Sequence, residues 1–296
     1  MNLQKQSVKR LTPSDAAELH KLLQASGEDG AEICDNSVGN IYMWEATLAT
    51  EKIGEDRFCI AEHYEGDTYF ALRKADGDYK ERIEALLLQF GAPLHLCSMT
   101  EAEITALHAI YGERFSCEGE DGAADYIYDA SDLRTLSGKR FHAQRNHLNA
   151  FLREYQGYTF LPYTAEAEAE VLAFFDAYEE SVDDRTESAK KESLACRRLL
   201  PLLPTLGLDA RVFRIDGRIC GFVVMERVGN TLMIHIEKAL TAYRGIYPML
   251  VQLEANAYPD VRFVNREEDD GNEGLRRSKM SYNPIEVKQK YIGRIE

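Results

Sequence analysis

Apolar and polar positions along this chain trace one succession of elements twice. In the first half, Phe58–Tyr64 and Thr68–Leu72 flank Glu65-Gly66-Asp67, which predicts a β-hairpin. Tyr79–Phe90 has helical apolar spacing and stops at Gly91, a residue suited to a C-cap. Leu94–Cys97 reads as a short strand, and the capping box Thr100-Glu101-Ala102-Glu103 opens a helix to about Tyr111. The second half repeats the order. Arg211–Ile215 and Arg218–Glu226 flank the turn Asp216-Gly217, and Thr231–Glu237 returns as a third strand after Gly229-Asn230. Pro248 is expected at the first position of a helix, followed by a strand at Val261–Asn265 and a short helix at Asn272–Met280. The acidic, glycine-containing stretch Glu118–Asp125 reads as a loop near a domain boundary. The expected architecture is α+β: two tandem units, residues 1–133 and 134–296, each a mixed, mostly antiparallel sheet flanked by helices, with the candidate site in the second.

Composition agrees with two units, since 296 residues exceed one typical core. No apolar run is long enough to cross a bilayer, and Met1-Asn2-Leu3-Gln4-Lys5 has no signal-peptide core, so a cytoplasmic location is expected. The 6 cysteines form no CxxC pair and read as free thiols in a reducing compartment. The net charge of −15 changes the picture more. Such a surface repels nucleic acid and anionic membranes unless a local basic patch overrides it.

Three polar constellations could carry chemistry. Ser137–Arg153 holds Lys139, Arg140, Arg145 and Arg153 and no acid. As a helix it places Phe141, Leu148 and Leu152 on one stripe and Lys139, His142, Asn146, Asn149 and Arg153 opposite. Arg145 lies beside the stripe and is expected to be buried against a carboxylate of Glu267, Glu268 or Asp269. The segment is either an ordinary amphipathic helix or an anion platform. In Thr231–Lys238, strand alternation puts Leu232, Ile234 and Ile236 on one face and His235 with Glu237 on the other. A histidine and a carboxylate on one pocket wall can supply acid or base near neutral pH; a half-exposed polar strand face is the plainer alternative. The third constellation is Asn265-Arg266-Glu267-Glu268-Asp269-Asp270-Gly271, continuing through Arg276, Arg277, Lys279 and Tyr282. Polar clusters at strand ends are where α/β folds place their chemistry. The acids lack the alternating pattern of a calcium loop, and no metal site is expected.

These residues carry a resemblance. Asp125-Tyr126-Ile127-Tyr128, Leu136-Ser137-Gly138-Lys139-Arg140-Phe141, Gln144-Arg145-Asn146-His147-Leu148, His235-Ile236-Glu237-Lys238-Ala239, Asn265-Arg266-Glu267-Glu268-Asp269 and Lys279-Met280-Ser281-Tyr282, with Asn40-Ile41-Tyr42-Met43-Trp44 earlier, together resemble a bacterial family of unknown function. That family is related to the C-terminal domain of phosphatidylglycerol lysyltransferases. Gln144 departs from it, standing where a lysine is expected. The resemblance implies a tandem fold of the acetyltransferase-like kind called GNAT, similar to Fem-type peptidyltransferases. It also implies an aminoacyl- or acyl-transferase. Under it His235, Glu237 and Tyr282 are the candidate catalytic residues, and Arg145, Asn146, Lys238, Asn265, Arg266, Glu267 and Asp269 the candidate substrate contacts.

No cofactor is assigned; the donor is an aminoacyl-tRNA or an acyl-CoA. GNAT enzymes that use coenzyme A carry a glycine-rich loop after the strand equivalent to 231–237, where backbone N–H groups cradle a pyrophosphate. Here Ala242-Tyr243-Arg244-Gly245-Ile246-Tyr247-Pro248 lacks that pattern, and Tyr247 should crowd the site, which favours charged tRNA docked along 139–153. The acceptor is a small molecule or a lipid head group. Two alternatives remain open: an acyl-CoA-dependent N-acyltransferase, and a non-catalytic small-anion binding module.

Overall fold

The computed structural model describes residues 6–24, 31–55, 58–73, 78–182 and 187–296. The expectation placed on the first five residues lies outside them. In chain order the first part comprises β1 (Val8–Arg10), α1 (Ala16–Gln24), α2 (Val38–Leu48), β2 (Glu51–Ile53), β3 (Cys59–Tyr64), β4 (Asp67–Ala71), α3 (Tyr79–Phe90), β5 (Leu94–Met99), α4 (Glu101–Tyr111) and β6 (Phe115–Gly119). The second comprises β7 (Asp125–Asp129), α5 (Ala130–Thr135), α6 (His142–Glu154), β8 (Tyr158–Pro162), α7 (Glu168–Glu180), α8 (Glu187–Leu199), α9 (Leu203–Leu206), β9 (Asp209–Ile215), β10 (Arg218–Val228), β11 (Thr231–Ala239), α10 (Ile246–Ala257), β12 (Phe263–Asn265), α11 (Glu273–Met280), β13 (Glu286–Lys288) and β14 (Tyr291–Ile295).

Local signals act where the patterns place them. The Thr100/Glu103 capping box starts α4, and Asn272 caps α11 by accepting from the N–H groups of Gly274 and Leu275. Pro248 stands third in α10, not first: Gly245, at φ +83°, turns the chain and Ile246 begins the helix.

Among the described residues the strands form two seven-stranded sheets, ordered β1-β2-β3-β4-β5-β14-β6 and β13-β7-β12-β11-β10-β9-β8. Each is antiparallel except for one parallel pair, β4 with β5 and β11 with β12. In both, a hairpin, a helix and a parallel strand follow in order, which makes the chain a tandem GNAT-like fold. The sheets do not follow the expected division at residue 133. β7 inserts between β12 and β13 of the second sheet, and β14 inserts between β5 and β6 of the first. The chain therefore crosses between sheets after β6 and again after β13. Strand pairing overrides sequence position because each sheet offers the incoming strand two edges to bond.

Three cores result. One joins α3 and α4 to the first sheet through Ile83, Leu86, Leu96 and Leu107. One joins α5, α6 and α10 to the second sheet through Tyr128, Phe141, Phe151, Phe213 and Leu250. The largest lies between the sheets, where α1, α2, α7 and α8 pack against Ile60 of β3 and Val224 and Ile236 of the second sheet. Among the cysteines, Cys34, Cys59, Cys97, Cys196 and Cys220 are buried and all six are free thiols.

Candidate functional site

The geometry of β11 decides where its polar residues go. Opposite it, Val224 pairs with Ile236 and Met225 with Ile234, so His235 is an extra residue and forms a β-bulge. The bulge reverses the alternation expected from sequence. Leu232 and Ile234 pack with α6 and α10, while Ile236 joins the core between the sheets. His235 and Glu237 consequently do not share a pocket wall.

His235 is enclosed. It donates from Nδ1 to Glu267 (2.7 Å) and from Nε2 to Glu226 (3.1 Å). Glu226 also accepts from the N–H groups of Val38 (3.0 Å) and Gly39 (2.7 Å) at the start of α2. Gly39 is required here: a Cβ on it would stand 2.3 Å from His235 Nε2. Burial alone would lower the pKa of His235, but the hydrogen bonds and charges of Glu226 and Glu267 outweigh it and hold the imidazolium up to about 9. Burial would raise Glu226, yet its bonds from His20 and His235 bring it down to about 2. Glu267 moves up, because burial there exceeds what His235 returns; Glu226 is thus the firm anion of the pair.

Glu237 faces α10. Its Oε2 accepts from Arg266 Nη2 (2.7 Å) and Nε (3.1 Å). The Arg266 guanidinium lies 4.9 Å from the centre of the Tyr282 ring and 5.9 Å from that of Tyr128. Lys279 Nζ donates to Arg266 O (2.5 Å) and to Glu268 O, and burial with Arg266 nearby draws it down to about 8. Burial pushes Tyr282 well above the usual phenol range, so it stays protonated. Behind this pair Glu254 of α10 is buried and, chiefly through that burial, its carboxyl is raised well above the usual range. Glu237 Oε1, Glu254 Oε1 and Arg266 Nη1 are buried without a hydrogen-bond partner.

In front of Tyr282 opens a cavity of about 370 Å³. Ala143, Gln144 and His147 of α6 form one side. Thr241 and Tyr243 of the β11–α10 connection and Tyr247 of α10 form another, and Ser278, Ser281 and Tyr282 close it from α11 and the turn beyond. Gly245 lets α6 approach this connection, since a Cβ there would meet His147 O at 2.2 Å. Gln144 is held by its Nε2 donating to Ser281 O (2.6 Å).

Of the ten residues singled out from sequence, Tyr282 lines this cavity, and Arg266 with Glu237 stands behind it. The others are placed elsewhere. Lys238 pairs with Glu192 of α8 (2.6 Å). Asp269 pairs with Arg276 (2.7 Å) and accepts from Tyr126 (2.5 Å). Asn265 donates to Asp125 (2.7 Å) and accepts from the N–H of Glu267 (2.7 Å). Asn146 is exposed, within 3.1 Å of His142 Nε2. Arg145 is half-buried and donates to the carbonyls of Leu136 and Gly138 (2.6 Å to the latter) in place of the expected carboxylate. The cause is local: α5 ends at Leu136 and leaves carbonyls for a cation to cap. The apolar stripe of α6 runs through Phe141, Leu148 and Phe151, with Leu152 outside it. Sequence reasoning passed over Gln144, His147, Thr241, Tyr243 and Glu254 as site residues. Glu254 did carry a signal, as the lone charged residue of α10.

A second buried cluster sits at the crossings between sheets. Lys290 Nζ lies 2.7 Å from Asp35 Oδ2, 3.2 Å from Asp125 Oδ1 and 3.4 Å from Cys34 Sγ, and also contacts Glu268 Oε1. Cys34, Asp125 and Glu268 bring ligand-type atoms within 4.8 Å of one another, but the Lys290 ammonium stands among them, in the place a metal ion would take.

Comparison with known proteins places these features in a wider setting. The family model described as "Phosphatidylglycerol lysyltransferase, C-terminal" matches residues 30–294. A conserved protein of unknown function from Bacteroides thetaiotaomicron has 27% identity and a TM-score of 0.88, with 98% of this chain and 100% of that one covered. The structure of L-PGS from Bacillus licheniformis is 14% identical with a TM-score of 0.63, over 96% of this chain and 92% of that one, a likeness of fold. An uncharacterised protein of Mycoplasmoides gallisepticum is 27% identical over 178 residues, which cover 59% of this chain and 57% of that curated relative.

Proposed function

The chain belongs to the phosphatidylglycerol lysyltransferase C-terminal family, and on that premise we propose that it is an aminoacyl- or acyl-transferase working in the cavity in front of Tyr282. The supporting observation is the position of that cavity, at the end of β11 and the start of α10, walled by Tyr282 with the Arg266–Glu237 pair behind. Acyl transfer of this kind needs no protein nucleophile. An amine or hydroxyl acceptor attacks the donor's ester carbonyl, the oxyanion takes hydrogen bonds, the ester C–O bond breaks as the leaving oxygen takes a proton from the Tyr282 hydroxyl, and the proton lost by the acceptor returns to the Tyr282 oxygen. Tyr282, kept protonated by burial, is assigned the proton. Arg266 positions its ring, and Glu237 holds Arg266. His235, Lys238, Asn265, Glu267 and Asp269 act at a distance, fixing the strand ends that carry these groups.

For the donor we favour an aminoacyl group carried on tRNA. The start of α10 offers a pyrophosphate little: Ile246 N donates to Tyr243 O (3.1 Å), Met249 N to Gly245 O (3.3 Å), and Pro248 has no N–H. At most the Tyr247 N–H remains. The exposed face of α6, with Lys139 just before it and His142 and Arg153 on it, runs beside the cavity and gives phosphates a basic track on an acidic protein. Among the described residues no helix is long and apolar enough to cross a membrane.

Binding of charged tRNA, uncharged tRNA and acetyl-CoA to the full chain, each measured across a salt series, tests this reading. The expected result is charged tRNA binding that weakens steeply with salt and falls in Lys139→Glu/Arg153→Glu. Salt-tolerant acetyl-CoA binding would make the protein an ordinary N-acyltransferase. Binding to a small anion alone, without turnover, would make it a binding module.

A further inference from the structure

Among the described residues the two sheets end in four edge strands, β1 and β6 in the first and β13 and β8 in the second. An unpaired edge is a template for another strand. Two identical antiparallel strands pair about a two-fold axis at their middle residue, so each edge either complements itself or does not. β1 would set Lys9 against Lys9, a like-charge pair. β6 would set Ser116 against Glu118, with no cation opposite. β8 ends in Pro162, which has no N–H for a ladder. β13 is Glu286-Val287-Lys288, and about Val287 each Glu286 meets the Lys288 of the other copy.

The backbone of β13 suits the same pairing. Tyr126 of β7 gives its N–H to Glu267 O (3.3 Å) and takes the Arg266 N–H (3.1 Å), so it is turned toward β12. Its neighbours Asp125 and Ile127 are therefore turned toward β13, where Lys288 and Glu286 stand opposite them. Val287, opposite Tyr126, directs its N–H and C=O to the open side. Ile285 also donates to Ile127 O (2.8 Å), so the strand opens on a bulge and regular alternation starts at Glu286. The Val287 and Glu286 side chains are exposed, and Lys288 Nζ lies 3.8 Å from its own Glu286. Two copies joined at Val287 exchange two backbone hydrogen bonds and cover both valines. Their glutamates and lysines close into a ring of four alternating charges. We propose that the chain self-associates through β13, which joins the second sheets of two copies into one continuous sheet. The strand is short and the net charge of −15 repels copies at long range, so a weak, concentration-dependent dimer is expected.

Sedimentation equilibrium of the full chain over a concentration series tests this. The unaltered protein should show a monomer–dimer equilibrium. Glu286→Lys sets lysines against lysines, and Lys288→Glu sets carboxylates against carboxylates. Each alone should weaken dimerisation at least tenfold. An equimolar mixture of the two variants should recover it as a heterodimer, which a chain merely disturbed in its fold does not do. A protein that stays monomeric up to about 1 mM, the weak end of specific association, overturns the inference. So does a dimer that either variant leaves intact, or a mixture that associates no better than its components. The transferase reading stands or falls separately, because no residue of β13 lines the cavity.

Discussion

Replacing His235 with glutamine removes the one cation between Glu226 and Glu267 and leaves both carboxylates buried. The size of the effect follows from the environment. The His235 side chain is 0% exposed, and its pKa rises from 6.5 to about 9. At about 1.4 kcal/mol per unit, this shift corresponds to roughly 3 kcal/mol of stability. Breaking a buried ion pair by deleting one partner costs about 3–5 kcal/mol, in agreement. The sign is set by the direction of the shift. A histidine whose folded pKa lies above its unfolded value stabilises fully below the unfolded value, and the stabilisation fades as pH rises through the folded one. Urea unfolding of both proteins should therefore show His235→Gln weaker by about 3 kcal/mol near pH 6, with the gap closing as pH climbs from 6.5 through about 9. Taking the difference between the two proteins cancels the titrating groups distant from residue 235, while Glu226 and Glu267, which His235 draws down, move up in the variant. A gap under about 0.5 kcal/mol, the range of ordinary surface substitutions, or one that does not change with pH, would refute the reasoning.

Other substitutions probe the remaining features. Glu254→Gln mimics the protonated acid that burial imposes, so the variant should gain stability relative to the natural protein as pH rises above 4.5, visible in melts at pH 5 and pH 8; no gain at the higher pH would mean that Glu254 is charged in the fold. Gly245→Ala places a Cβ against His147 O at a φ of +83°, and should cost at least about 1 kcal/mol and abolish ligand binding in the cavity, read by unfolding and titration calorimetry. Lys290→Met leaves Asp35, Asp125 and Glu268 without their cation; a loss of about 3–5 kcal/mol and new proteolytic cleavage in the crossing between β6 and β7 are expected, and an unchanged cleavage pattern would argue that the cluster does not hold the crossing.

The chain's own pattern determined a good deal. Element order, the capping box of α4, the hairpin turns and the tandem plan were legible because each rests on interactions among near neighbours in sequence. The exposed basic face of α6 was legible too, since helical periodicity needs only the residues of the helix. The rest depended on partners far along the chain. The bulge at His235 arises from pairing with β10, and one extra residue moved His235 to a different partner set from Glu237. The exchange of β7 and β14 between sheets depends on which edges are open after folding. Arg145 met backbone carbonyls because α5 happens to end beside it, and Glu268 met Lys290 instead. Glu254 became buried, with its carboxyl raised by that burial, only through the packing of α10 against α5, α6 and β11. Charges choose partners by distance in space, at short range and in low dielectric, and that distance is set by the assembled sheets rather than by spacing along the chain.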